Sequence, residues 1–96
     1  HIQTEAAALM VQRAAALYDA GQPVGAEANM AKLLASEAAW AAADQCVQTH
    51  GGYGFAAEYD VERKFRETRL YPVAPVSTNL ILSYIATHEL GMPRSF

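Results

Sequence analysis

Residues 27–60 read EANMAKLLASEAAWAAADQCVQTHGGYGFAAEYD, and the reading of this stretch decides the fold. Its first part runs for roughly six helical turns without Pro or Gly before the knot Gly51-Gly52-Tyr53-Gly54 stops it. Side chains on a helix are offset by about 100°, so Met30, Leu33, Leu34, Glu37, Ala41, Asp44 and Gln48 fall along one line. That line is apolar at its start but carries Glu37, Asp44 and Gln48 where an ordinary core helix would place Leu. Either each polar group has a buried partner or the face ends against something polar.

The flanking chain is helical as well. Ile2, Ala6, Leu9, Met10, Ala14 and Leu17 share a face at helical spacing, and Gly21 with Pro23 supplies the stop. Arg13 interrupts this stripe and needs a carboxylate; Glu37, equally out of place, is its expected partner. The short turn at 22–25 makes the first two helices antiparallel neighbours, with Gly25 as the expected N-cap and Glu27 at the positive end of the helix dipole. Past the glycines, Glu62 with Arg66 and Arg63 with Glu67 stand at i,i+4 on a charge-laced helix that turns Val61, Phe65 and Leu70 inward. Pro72 and Pro75 exclude residues 71–76 from helix. Ser77 or Thr78 then caps a last helix with Leu80, Ile81, Tyr84, Ile85 and His88 inward, ended by Gly91 and Pro93. The expected fold is all-α, an antiparallel bundle of four helices at about 2–20, 26–49, 59–70 and 78–90.

Composition agrees. A chain of 96 residues that is 52% hydrophobic supports one small core and one domain. About one residue in five is Ala, which favours helix. A net charge of -3 argues against a nucleic-acid surface, and a soluble, cytoplasmic role is expected. Neither a signal peptide nor an apolar run of the roughly 20 residues that span a bilayer is found. Cys46 stands alone and reads as a plain small residue, and His88 has no second ligand at i+3 or i+4, so no metal site is expected. The glycine knot closes a helix and follows no strand, which excludes the usual phosphate-cradling loops. His1 runs into helical pattern without a cap, as expected of a cut inside a larger protein, whereas residues 90–96 read as a natural subunit end.

Three runs carry a resemblance: Met30-Ala-Lys-Leu-Leu-Ala-Ser-Glu37, then Asp44-Gln-Cys-Val-Gln48-Thr-His-Gly51-Gly52-Tyr-Gly54-Phe, then Glu58-Tyr-Asp-Val-Glu62-Arg63-Lys-Phe-Arg66-Glu67. In order and spacing they closely resemble the C-terminal helical domain of the acyl-CoA dehydrogenases, from Arg13 to about Leu90. The resemblance implies the C-terminal part of an FAD-dependent enzyme that oxidises the α,β C–C bond of an acyl-CoA thioester and passes electrons to an electron-transferring flavoprotein. It implies a homo-oligomer, a tetramer for the whole enzyme, in which the Gln-x-x-Gly-Gly turn meets the FAD of a neighbouring subunit; for this chain alone, apolar faces left without their partners predict a dimer. By that match Gln48, Gly51 and Gly52, with Thr49 and His50 between them, are the FAD contacts; Ser77 and Asn79 serve the FAD contacts that the family makes after its Tyr-Glu-Gly-Thr motif. An amide both donates and accepts, and bare glycine backbone lets a ligand come close. The family also places an Arg and an acidic residue where Arg13 and Glu37 stand.

One departure is equally informative. Many members carry Tyr-Glu-Gly-Thr before the last helix, with the Glu as base. Read from Arg66 without a gap, this chain has Ala74-Pro75-Val76-Ser77 there, so Pro75 occupies the base position and no catalytic residue is assigned. The base then comes from a helix outside this chain, or the parent runs other chemistry. Two alternatives follow: a non-catalytic oligomerisation or binding module on the same bundle, and a flavin monooxygenase relative.

Overall fold

A computed structural model describes residues 1–94; Ser95 and Phe96, part of the expected subunit end, lie outside the described residues. The chain is all-α, with no strand among the described residues. Three helices exceed ten residues: α1 (Ile2–Asp19), α2 (Gly25–His50) and, after two shorter ones, α5 (Thr78–His88). The expected bundle of four helices is thereby corrected to three principal ones. The stretch at 59–70 splits into a 3-10 turn at Ala57–Tyr59, the eight-residue α3 (Val61–Thr68) and the start of α4 (Leu70–Val73). The break comes at Asp60, whose φ of 60° no continuous helix accepts.

The excluded helix at 71–76 needs a second correction, because α4 contains Pro72. Pro72 is the third residue of a four-residue helix, where a backbone N–H has no partner inside the helix, so a missing donor costs nothing. Two capping expectations divide. Ser77 caps α5, its Oγ accepting from the Leu80 N–H at 3.4 Å. Gly25 is the first residue inside α2 rather than its cap, and it is small for another reason: a Cβ there would stand 2.5 Å from the Tyr84 hydroxyl of α5.

α2 is the axle, contacted by every other helix. α1 runs antiparallel to it, since Arg13 meets Glu27 while His1, Gln3 and Thr4 share a groove with Ala38, Ala41 and Gln45. This register overturns the pairing of Arg13 with Glu37. The Arg13 guanidinium reaches Glu27 Oε1 at 3.4 Å, and Glu37 lies ten residues, or about 15 Å, further along α2.

Contact on several sides also defeats the single-stripe reading of α2. The buried positions are Ala31, Ser36 and Ala43, whereas Glu37, Ala41, Asp44 and Gln48 are exposed. On α1 the buried face is Ala7, flanked by half-buried Met10, Ala14 and Leu17, and Ile2 and Leu9 stand out in water. On α5, Ile81 is fully buried and Tyr84 and Ile85 partly so, while Leu80 and His88 are exposed.

The core is thin: among the described residues Ile81 is the single large side chain fully enclosed, while Leu9, Phe55, Leu70, Leu80, Leu82 and Leu90 are each more than half exposed. The radius of gyration of 16.1 Å exceeds the ~12.5 Å of a compact chain of this length. No helix among the described residues is long and apolar enough to cross a membrane.

Candidate functional site

The three polar positions of α2 that break its apolar pattern open onto two adjoining clefts. Asp44 and Gln48 line the first, of about 580 Å³, together with Gly51, Phe55, Glu62 and Arg66. Glu37 lines the second, of about 430 Å³, with Trp40, Arg69, Ser77, Thr78 and Asn79. The wall between them is aromatic. The ring of Phe65, on the first cleft, lies 4.7 Å from that of Trp40, on the second. The Arg69 guanidinium carbon stands 5.0 Å over the Trp40 ring, a cation–π contact that keeps the charge at the cleft wall.

Around Gln48 the geometry is set by the end of α2. Gly51 closes the helix with φ 59°, its N–H donating to the Gln48 carbonyl, and a 3-10 turn follows over Gly51–Phe55. The Gln48 side-chain amide makes no hydrogen bond among the described residues and is exposed in the cleft. Its two neighbours behave otherwise. Thr49 Oγ1 donates to the Gln45 carbonyl at 2.8 Å, and His50 Nδ1 lies 2.9 Å from the Cys46 carbonyl, so both side chains turn back on their own helix. A Cβ at Gly52 would meet nothing within 4 Å, which leaves that backbone open.

The charges beside this cleft are paired along α3. Arg66 Nε donates to Glu62 Oε2 at 2.9 Å, and Arg63 donates to Glu67 Oε1 at 2.6 Å and to Asp60 Oδ1 at 3.2 Å. The hydrogen bond from Arg63 and its charge hold the Asp60 carboxyl below its ordinary range. The bond to Glu62 and its charge push Arg66 up, and its guanidinium is cationic at the cleft rim, as any arginine would be. Arg66 has N–H groups beyond the one given to Glu62 and can still donate to an anion.

Four of the seven site residues expected from sequence divide between the two clefts, and Thr49, His50 and Gly52 line neither. Gln48 and Gly51 belong to the first cleft and Ser77 and Asn79 to the second, with Trp40 and Phe65 between. Pro75 lies in neither; it lines a third, apolar groove with Lys32, Ala35 and Ala39.

Sequence reasoning missed Trp40, Arg69 and Lys32. For Lys32 a signal existed. Carbonyls in a proline-broken stretch need donors from elsewhere, and Lys32 is the cation of α2 nearest in character to such a donor, donating to the Tyr71 carbonyl and, at 2.7 Å, to that of Val76.

The donor set fits the polar part of a dinucleotide: an exposed amide at Gln48, the N–H groups that Arg66 keeps beyond its pair with Glu62, bare backbone at the glycine corner, and hydroxyl and amide groups at Ser77 and Asn79. Stretches of this length and order recur in known proteins. The family description "Acyl-CoA dehydrogenase, C-terminal domain" matches residues 1–89. Acyl-CoA dehydrogenase FadE12 of Mycobacterium tuberculosis is 47% identical over 98 residues, covering 100% of this chain and 25% of that protein. The short-chain specific acyl-CoA dehydrogenase of Homo sapiens mitochondria is 41% identical over 91 residues, 95% of this chain and 22% of that protein. The caffeyl-CoA reductase-Etf complex subunit CarC of Acetobacterium woodii is 45% identical over 69 residues, 72% of this chain and 18% of that protein. The chain thus spans a quarter or less of the length of these curated relatives.

Proposed function

Because the chain belongs to the acyl-CoA dehydrogenase family through that family's C-terminal domain, we propose that it serves an FAD-dependent dehydrogenase of acyl-CoA thioesters, contributing cofactor contacts and subunit interface rather than the base. FAD, when bound, supplies the acceptor for the hydride leaving Cβ. What this chain contributes is placement. Gln48 offers an amide that donates and accepts, Gly51 and Gly52 offer backbone without side chains, and Arg66 offers a cation beside them. Thr49 and His50 contribute as the spacing between Gln48 and Gly51, their side chains being engaged on α2. Ser77 and Asn79 offer polar contacts from the second cleft. Pro75 has no group that takes a proton, so the α-proton is removed by a carboxylate outside this chain.

The observation that carries the reading is the Gln48 amide, without a hydrogen-bond partner among the described residues and placed three positions before Gly51 on an open cleft. The exposed apolar surface supports a homo-oligomer, since patches beyond a few hundred Å² rarely stay bare in water; we place a dimer for this chain alone and a tetramer for the whole enzyme. Electron-transferring flavoprotein is the proposed electron acceptor, in keeping with one relative being a subunit of an Etf complex.

The test uses the full-length protein. It is expected to be yellow and to bleach with an acyl-CoA, and Gln48→Ala is expected to weaken FAD binding about tenfold with helicity unchanged. A full-length protein that takes up no FAD ends the reading. Pro75 favours a second one, a flavin monooxygenase, whose mark is substrate-dependent oxygen consumption with a hydroxylated product.

A further inference from the structure

The segment between α4 and α5 is held by a cation from the middle of α2. Lys32 is half-buried among Ala35, Ala39, Tyr71 and Pro75, and it forms no ion pair with any carboxylate among the described residues. Its ammonium instead donates to the carbonyl oxygens of Tyr71 and Val76, the latter at 2.7 Å. These two acceptors lie at opposite ends of a stretch that Pro72 and Pro75 deprive of two backbone donors. Thr78 adds a second tie, its Oγ1 donating to the Pro72 carbonyl at 3.2 Å.

We propose that Lys32 is a positioning residue: by holding the Val76 carbonyl it sets the orientation of Ser77 and the start of α5, and so presents Ser77 and Asn79 to the cofactor. The physical link is the peptide plane. The Val76 oxygen and the Ser77 nitrogen and Cα belong to one rigid unit, so fixing the oxygen fixes the direction in which the chain leaves. One residue later Ser77 caps α5, and three residues after Val76 Asn79 enters the second cleft. A compact ammonium with three donors suits two carbonyls in an apolar groove, whereas a planar guanidinium would have to splay to reach both. The inference rests on the cofactor reading of Ser77 and Asn79 given above.

The experiment measures, in the full-length flavoenzyme, the FAD dissociation constant and the hydrogen exchange of the amides at 77–80. Variants are Lys32→Met, which keeps the chain length and removes the donors, Lys32→Gln, which serves if the first does not fold, and Asn79→Ala. Removing Lys32 is expected to weaken FAD binding about tenfold and to speed exchange at 77–80, and Lys32→Arg to recover part of both. Combined with Asn79→Ala, it is expected to add less than its effect alone, since part of both losses runs through Asn79. A Lys32 variant with unchanged FAD affinity, beside an Asn79→Ala that loses it, overturns the proposal, even if the melting temperature falls. Unchanged affinity in Asn79→Ala itself overturns instead the cofactor reading beneath it.

Discussion

Gly54 lies against the backbone of Val47: a methyl group on its Cα would stand 2.8 Å from the Val47 carbonyl oxygen and 3.1 Å from its Cα. The glycine knot therefore divides its labour. Gly54 brings the 3-10 turn onto the last turns of α2, Gly51 takes the positive φ that ends the helix, and Gly52 leaves backbone uncovered.

Gly54→Ala is expected to destabilise the fold by about 1–3 kcal/mol, because the obstructing atoms are backbone and cannot rotate away. Chemical denaturation reads this directly. A midpoint equal to that of the parent protein would show that the turn shifts freely.

Gly52→Ala separates binding from folding. With no atom within 4 Å of the added carbon, stability should change by no more than about 0.5 kcal/mol. FAD affinity in the full-length enzyme should nevertheless fall about tenfold, measured by flavin fluorescence on titration. Equal affinity would mean that the cofactor does not approach the backbone there.

Ile81 is the side chain on which the thin core depends, with 0% of its surface exposed. Ile81→Ala is expected to cost about 2–5 kcal/mol, the usual range for a cavity of that size. Loss of helical circular dichroism with temperature gives the measurement. A loss below about 1 kcal/mol would mean that α5 collapses onto the gap.

Asp60 gives a pH dependence with a definite sign. Its carboxyl is held below its ordinary value, first by the hydrogen bond from Arg63 and then by its charge. A depressed carboxylate stabilises the folded state above the unfolded value, about 3.9, and that contribution is lost as pH falls through the folded value. Asp60→Asn keeps a residue type that tolerates positive φ and removes the charge. Between about pH 5 and pH 2 the parent protein should therefore lose more stability than the variant. Parallel stability curves would show that the pair with Arg63 contributes nothing in solution.

Much of this was legible before any coordinates. The three principal helices, the stop at Gly51, the Ser77 cap and the two i,i+4 ion pairs of α3 all depend on groups within one or two turns of each other. The family's motif was legible for the same reason, as a fixed spacing along one helix and its turn. The errors have a common origin. Two misplaced charges point Arg13 to Glu37, whereas the antiparallel register brings it to Glu27. Periodicity laid Glu37, Asp44 and Gln48 along an inward line, and the positions of α3 and α5 turned that line into the lining of two clefts.

Chain-local chemistry, meaning backbone torsions, missing donors and hydrogen bonds a few residues long, was enough to specify an all-α protein in which a long helix carrying Gln48 in its last turn stops at a glycine corner. Which face of α2 is wet, which carboxylate Arg13 meets, and that Lys32 of one helix holds the carbonyls of Tyr71 and Val76 were decided by packing alone. Those contacts join residues far apart in the chain, and the distance between such groups is set by how the helices dock, which periodicity along any single helix does not encode.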